Sequence, residues 1–132
     1  MSLKRIDPEE ARRLLESGEG YNYLDVRTEE EFAVGHVPGA INVPLLKTGP
    51  EGLGMTPNGD FIEEVEMALE PTARVITGCL RGARSMKAAQ IMVQHGYSQV
   101  LDMRGGFDGE LDATGAVTFP GWVRRGLPTT TV

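Results

Sequence analysis

The sequence predicts an α/β domain in which helices cover a parallel sheet. Short apolar, strand-like segments at 21–26, 40–43, 73–77 and from Val100 onward alternate with segments whose apolar residues have helical spacing. Strands that alternate with helices form parallel sheets, because each helix carries the chain back across the sheet. The 132 residues are 40% hydrophobic and 24% charged, which is typical of a soluble globular chain. We therefore expect residues 1–132 to form a single domain.

The first predicted helix has a clear start and a clear end. Asp7 is a favourable cap, and Pro8 follows at the first helical position, where no N–H is needed. Leu14 and Leu15 belong to the apolar stripe, and Gly18 ends the helix.

A strand, a brief helix and a second strand are predicted next, at 21–26, 29–34 and 40–43. A turn at 35–39 precedes the second strand. The segment 47–60 contains glycines, prolines and an asparagine but little periodicity, so we expect a surface loop there.

The second half of the chain repeats this alternation. Residues 61–69 have helical spacing, 73–77 read as a strand, and 86–95 read as a helix that Gly96 ends. Val100 begins another short strand. Because ligands of open α/β sheets bind beyond the carboxyl ends of the strands, the loop after 73–77 is the candidate site.

The stretch Val75 to Ser85, VITGCLRGARS, contains the only cysteine of the chain. A single cysteine excludes an internal disulfide and a four-thiolate metal site. Backbone N–H groups of the loop and of the following helix start, together with Arg81 and Arg84, would stabilise a Cys79 thiolate. Cys79 is therefore a candidate nucleophile. The alternative is a buried cysteine that only fills space.

The loop Cys79 to Ser85, CLRGARS, resembles the active-site loop of rhodanese-like sulfurtransferases, C-x-x-G-x-R-S. Other segments in the expected order are also similar to the family and extend the resemblance over nearly the whole chain. They are YLDVR at 23–27, EF at 31–32, GHVPGAINVP at 35–44, GGF at 105–107, GW at 121–122 and GLPT at 126–129.

The resemblance implies a three-layer rhodanese-like fold, with about five parallel strands and helices on both faces. It implies a thiosulfate sulfurtransferase that takes a sulfane sulfur from thiosulfate or a similar small anionic donor and holds it as a Cys79 persulfide. The acceptor would be cyanide, a thiol or a partner protein, and no cofactor or metal is required. Arg84 and Arg81 would orient the donor and stabilise the leaving group, and loop N–H groups would cradle the persulfide. The substrate-binding residues would be Leu80, Arg81, Gly82, Ala83, Arg84 and Ser85.

Several polar residues near the motifs have structural interpretations. Arg84 could instead pair with a nearby carboxylate, and Arg81 could face water. We expect His36 to stabilise its turn rather than act as a base. Asp25 and Arg27 are expected to form a hydrogen-bonding framework at a strand end.

Two other functions remain open from the sequence. A non-catalytic sulfur-relay or redox-sensing module would keep Cys79 as a sulfur acceptor for a partner. A cysteine phosphatase or arsenate reductase would use the loop C-x-x-x-x-x-R, but only four residues separate Cys79 from Arg84 here. The segment 107–121 is longer than in typical short rhodaneses, and its residues 113–119 suggest a hairpin near the site.

Charge and hydropathy limit the partners. The formal net charge is −6 and Lys/Arg clusters are absent from the sequence, which argues against binding nucleic acid or an anionic membrane. No segment approaches about 18 consecutive apolar residues, and residues 1–13 do not read as a secretion signal. We therefore expect a cytoplasmic protein.

Overall fold

A five-stranded parallel sheet forms the middle layer of the computed structural model, which describes residues 3–132. The first two residues of the predicted domain lie outside that range. Residues 3–132 contain the strands β1 (Arg5–Ile6), β2 (Tyr21–Asp25), β3 (Ile41–Asn42), β4 (Leu46–Thr48), β5 (Met55–Pro57), β6 (Arg74–Gly78), β7 (Val100–Met103), β8 (Gly109–Leu111) and β9 (Val117–Pro120). The five-stranded sheet has the strand order β1-β7-β6-β2-β3, and each neighbouring pair is parallel.

Helices cover both faces of this sheet, as predicted. They are α1 (Pro8–Leu15), α2 (Glu29–Val34), α3 (Phe61–Ala68) and α4 (Ala83–Gln94). On one face, α1 contributes Leu14 to a buried cluster with Trp122. On the other face, Val65 of α3 and Met92 of α4 belong to a second buried cluster. Burying an apolar side chain of this size contributes about 1.5–3 kcal/mol, so the two clusters fix the helices on the sheet.

Local capping explains why α1 and α2 begin where they do. The Asp7 carboxylate accepts the Glu10 N–H at 2.8 Å, which confirms the predicted start of α1. At α2, the Thr28 hydroxyl accepts the Glu31 N–H, and the Glu31 carboxylate accepts the Thr28 N–H. This reciprocal pair is a capping box, and α2 spans the predicted residues.

Helix α4 begins at Ala83, three residues before the predicted start at Met86. The first turn belongs to the candidate loop, and its residues carry none of the apolar spacing by which the rest of the helix was predicted. Gly82 precedes the helix with φ 108°, a backbone conformation that favours glycine. The loop and the helix start are therefore one continuous structure.

Residues 47–60 lie at the surface as predicted, but the prediction of a loop without regular structure is wrong. Strands β4 and β5 pair antiparallel there, with a short 3₁₀ turn at Pro50–Gly52 between them. Most side chains of this hairpin are exposed, so it lacks the apolar alternation that marks a half-buried strand. Strand β1 was also missed, because two residues are too few to show a period.

The predicted hairpin in the carboxyl-terminal segment is confirmed by β8 and β9, which pair antiparallel. The chain just before β8 lies against the candidate loop: the Phe107 N–H donates to the Cys79 carbonyl at 2.7 Å, and the Asp108 N–H donates to the Leu80 carbonyl at 2.9 Å. None of the helices among residues 3–132 is both long enough and apolar enough to cross a lipid bilayer.

Candidate active site

Cys79 lies directly after β6, with β2 and β7 on either side of that strand. The position is crowded. A Cβ at Gly78 would lie 1.7 Å from the Tyr23 hydroxyl oxygen, so only glycine fits where the strand turns into the loop. The Cys79 side chain is buried beneath the loop that follows it.

Two backbone N–H groups donate to the Cys79 sulfur. The Gly82 N–H lies 3.1 Å from Sγ and the Ser85 N–H lies 3.3 Å from it. The Ser85 hydroxyl oxygen is 3.4 Å from the same sulfur. Converging N–H dipoles of this kind stabilise an anion. The predicted arrangement of main-chain donors around the thiol is therefore present for these two residues.

Arg84 forms a bidentate ion pair with Glu31. Its Nη1 donates to Oε1 at 2.8 Å and its Nη2 donates to Oε2 at 3.1 Å. Burial would raise the pKa of Glu31, but hydrogen bonds from Arg84 and Thr28 outweigh it and hold the pKa below its ordinary value. The structural interpretation of Arg84, pairing with a carboxylate, is thus realised, and contact with a sulfur donor remains a prediction.

Arg81 forms hydrogen bonds with residues at the start of the β8–β9 hairpin. Its Nη1 donates to Asp108 Oδ2 at 2.8 Å and to the Gly109 carbonyl at 3.2 Å, while 43% of the side chain stays exposed. Asp108 also pairs with Arg124 at 3.0 Å. Burial would raise the pKa of Asp108, but the hydrogen bonds from Arg124 and Arg81 lower it overall. The part of Arg124 in this cluster was not predicted, because Arg124 is far from the candidate loop along the chain and no sequence pattern indicates the contact.

The remaining loop residues occupy different places. Leu80 is half-buried, and its carbonyl accepts the Asp108 N–H, whereas Ala83 is exposed at the start of α4. Ala83 and Arg84 also line a groove that runs toward Lys87. Within residues 3–132, no three His, Cys, Asp or Glu side chains are grouped closely enough to hold a metal ion.

Asp25 and Arg27 form the expected framework beside the loop. They make a buried ion pair with Nη2 2.7 Å from Oδ2, and Arg27 also donates to the Gly35 carbonyl at 2.8 Å. The Arg27 guanidinium lies 4.4 Å from the ring centroid of Phe107. This contact connects the end of β2 to the segment that supports the loop.

Comparison with known proteins identifies the family. Residues 7–111 match the family model described as the Rhodanese-like domain. The chain belongs to this family. It is 40% identical over 110 residues to Thiosulfate sulfurtransferase 16, chloroplastic, of Arabidopsis thaliana, covering 83% of this chain and 80% of that protein. It is 39% identical over 104 residues to Thiosulfate sulfurtransferase 18 of the same plant, covering 77% and 74%.

A solved structure is similar over the whole length of this rhodanese-like chain. The crystal structure of Rv0390 from M. tuberculosis aligns with a TM-score of 0.82 and 28% identity, covering 100% of both chains. The names of the relatives support a sulfurtransferase family, and the structural match supports the three-layer fold.

His36 of the rhodanese domain has the structural role that the sequence indicated. Its Nδ1 lies 2.7 Å from the Phe32 carbonyl oxygen and its Nε2 lies 2.8 Å from the Val132 carbonyl oxygen. The ring stacks on Phe32 with centroids 3.6 Å apart. These contacts occupy both ring nitrogens with backbone carbonyls of α2 and of the carboxyl-terminal segment.

A polar network beneath the loop was missed altogether. Asp102 of β7 is fully buried and accepts hydrogen bonds at 2.9 Å from both Arg5 and Thr77. Arg5 also donates to the Gly82 carbonyl at 3.3 Å. Burial raises the pKa of Asp102, and the hydrogen bonds from Thr77 and Arg5 only partly oppose the rise. The only sequence signal was a charged residue inside an otherwise apolar strand.

Proposed function

We propose that this chain acts as a single-domain thiosulfate sulfurtransferase that carries sulfur as a persulfide on Cys79. The observation that carries the proposal is the pair of N–H groups, from Gly82 and Ser85, that donate to Sγ at 3.1 and 3.3 Å. A sulfur anion held in this way is a good nucleophile and also a good leaving group. The names of the relatives support the same reaction class.

The reaction balances without a cofactor or an outside oxidant. The Cys79 thiolate attacks the outer sulfur of thiosulfate, a new S–S bond forms, and the S–S bond of thiosulfate breaks. Its electron pair leaves with sulfite. An acceptor such as cyanide or a thiol then attacks the outer sulfur of the persulfide, and the Cys79 thiolate is regenerated. The anionic charge that moves between these sulfur atoms is the charge that the loop N–H groups stabilise.

The loop residues have distinct roles in this proposal. The N–H groups of Leu80, Gly82, Ala83 and Ser85 surround the transferred sulfur. Arg84 reaches the anionic donor by exchanging its contact with Glu31 for a contact with a donor oxygen. Arg81 is exposed at the rim and attracts the donor, which must approach a chain of net charge −6.

The decisive experiment compares the wild-type protein with Cys79→Ser. With thiosulfate and cyanide, we expect steady-state thiocyanate formation by the wild type and none above background by the variant. After thiosulfate alone, mass spectrometry should show that the wild type gains one sulfur atom. The gain can be assigned to Cys79 because the sequence contains no other cysteine.

Other outcomes separate the alternatives. If Cys79 gains one sulfur atom but turns over neither cyanide nor a small thiol, the protein is a relay that needs a partner protein as acceptor. Efficient hydrolysis of an aryl phosphate would contradict the proposal and favour the phosphatase chemistry. Sulfur gain and turnover that survive Cys79→Ser would exclude Cys79 as the carrier.

A further inference from the structure

We propose that Arg5 and Asp102 are positioning residues for the sulfur-binding loop. They hold Gly82 so that its N–H stays directed at the Cys79 sulfur. Arg5 lies before residues 7–111, the part of the chain that matches the family model.

Register across the sheet brings the network together. Arg5 of β1 is the strand partner of Asp102 of β7, and Asp102 is in turn the partner of Thr77 of β6. The three residues therefore lie in one row beneath the loop. The Asp102 carboxylate is held from both sides, since Oδ2 accepts from Arg5 Nε and Oδ1 accepts from Thr77 Oγ1, each at 2.9 Å. Because the carboxylate is held at both oxygens, the position of the oxygen that accepts from Arg5 Nε is fixed.

The second arm of Arg5 reaches the loop. Its Nη2 donates to the Gly82 carbonyl at 3.3 Å, and the Gly82 N–H donates to Cys79 Sγ at 3.1 Å. Gly82 has φ 108°, and a Cβ there would lie 2.9 Å from Arg5 Nη2. Glycine is thus required for this conformation and for the close approach of the guanidinium. Glycine is also the least restricted residue, so an external hydrogen bond is needed to hold it in one orientation.

The same carbonyl connects to the second donor. The Ser85 hydroxyl donates to the Gly82 carbonyl at 3.4 Å, and the Ser85 N–H donates to Sγ at 3.3 Å. The Gly82 carbonyl is therefore a common anchor for both N–H groups that face the sulfur. Arg5 is the side chain from the sheet that holds this anchor.

The test measures the thiolate directly and does not require sulfur transfer. The pH titration of thiolate ultraviolet absorbance would be recorded for wild type, Arg5→Met, Arg5→Lys and Asp102→Asn. Each spectrum is corrected with the same protein carrying Cys79→Ser. The control is Arg74→Met, because Arg74 also leaves a sheet strand and donates to a backbone carbonyl, that of Glu19, at 3.0 Å.

We expect the ratio of thiolate to thiol at neutral pH to fall about 3- to 10-fold in Arg5→Met, the loss expected from one weakened hydrogen bond to a charged sulfur. The same ratio should fall by a similar factor in Arg5→Lys, since an ammonium cannot bridge Asp102 and Gly82 as a planar guanidinium does. The ratio should also fall in Asp102→Asn, and it should equal the wild-type ratio in Arg74→Met.

Three results would overturn the proposal. In the first, the titration curve of Arg5→Met equals that of the wild type although its unfolding temperature is lower, which would mean that Arg5 only stabilises the fold. Another is full recovery in Arg5→Lys, which would mean that charge alone matters. The last is an equal change in Arg74→Met. If Arg5→Met does not fold, the Arg5→Lys titration tests the proposal: a lower ratio of thiolate to thiol supports it, and the wild-type ratio contradicts it.

The inference takes Cys79 to be the reactive group of the proposed function, but the two can fail separately. A shifted titration in a protein that makes no thiocyanate would support positioning by Arg5 and contradict the proposed enzyme. Thiocyanate formation together with unchanged thiolate titrations in the Arg5 variants would support the proposed enzyme and contradict positioning by Arg5.

Discussion

The pair formed by Arg84 and Glu31 determines whether Arg84 is available to a sulfur donor, and Glu31→Gln tests this directly. Glutamine keeps the shape of the side chain and a carbonyl oxygen that can still accept the Thr28 N–H, so the capping box of α2 is preserved. The substitution removes the negative charge that holds Arg84. If Arg84 binds the donor, thiosulfate no longer has to displace a carboxylate, and its apparent affinity should rise.

The geometry sets the size of the effect. Two hydrogen bonds of 2.8 and 3.1 Å join side chains that are only 17% and 23% exposed. A hydrogen bond to a charged group contributes about 1.5–3 kcal/mol, and glutamine can keep one weaker bond. We therefore expect the free energy of unfolding to fall by about 1.5–3 kcal/mol, the contribution of the bond that is lost. We also expect the KM for thiosulfate to fall by up to about tenfold, the equivalent of about 1.4 kcal/mol.

The assay is thiocyanate formation at varied thiosulfate, with urea unfolding measured on the same samples. Glu30→Gln is the matched control, because Glu30 precedes Glu31 on the same helix and accepts from the Thr48 hydroxyl at 2.7 Å. A lower KM in Glu31→Gln alone supports donor binding by Arg84. An unchanged KM with lower stability would show that Arg84 is a structural brace, and an equal KM change in Glu30→Gln would show only a general charge effect.

Other expectations follow from the loop's packing and its carboxylates. In Gly106→Ala, the new Cβ would lie 2.5 Å from the Cys79 carbonyl at φ 65°, so urea unfolding should show a loss of about 2 kcal/mol or more, and wild-type stability would contradict the packing. Asp108→Asn should remove the ion pair of Arg81, leave its hydrogen bond to the Gly109 carbonyl, and raise kcat/KM for thiosulfate about two- to fivefold at low salt. That gain should shrink with added salt, and a salt-independent gain would refute steering. The lowered pKa of Glu31 stabilises the fold above about pH 4.5, and this contribution is lost as the pH falls through the lowered value. The stability difference from Glu31→Gln should therefore close in acid, and a constant difference would contradict it.

The parts of the fold that the sequence predicted are those with a local physical signature. Helices α1 and α2 have caps at Asp7 and Thr28 that act within one turn of the chain, so nearby residues suffice to place them. Strand β1 and the β4–β5 hairpin have no such signature. They are held mainly by backbone pairing with few buried side chains, and backbone pairing leaves no pattern in side-chain identity.

The same distinction applies to the site. Cys79 could be found because one glycine, two arginines and a serine lie with it in the seven residues 79–85. The carboxylates that hold the arginines could not be found, since Glu31 is 53 residues from Arg84 and Asp108 is 27 residues from Arg81. Pairing at such distances is decided by how the sheet and hairpins pack. The sequence thus located the arginines but not the contacts that govern their charge.

These pairings differ in how easily they release an arginine to an anionic donor. When Arg81 turns toward a donor, Asp108 remains paired with Arg124, so no carboxylate is left without a cation. When Arg84 turns, Glu31 keeps its hydrogen bonds from Thr28 but loses its guanidinium partner at a half-buried position. Arg81 is also the more exposed of the two. In the proposed reaction the donor would therefore meet Arg81 first, and Arg84 would exchange Glu31 for the donor only once the reacting sulfur is close to Cys79.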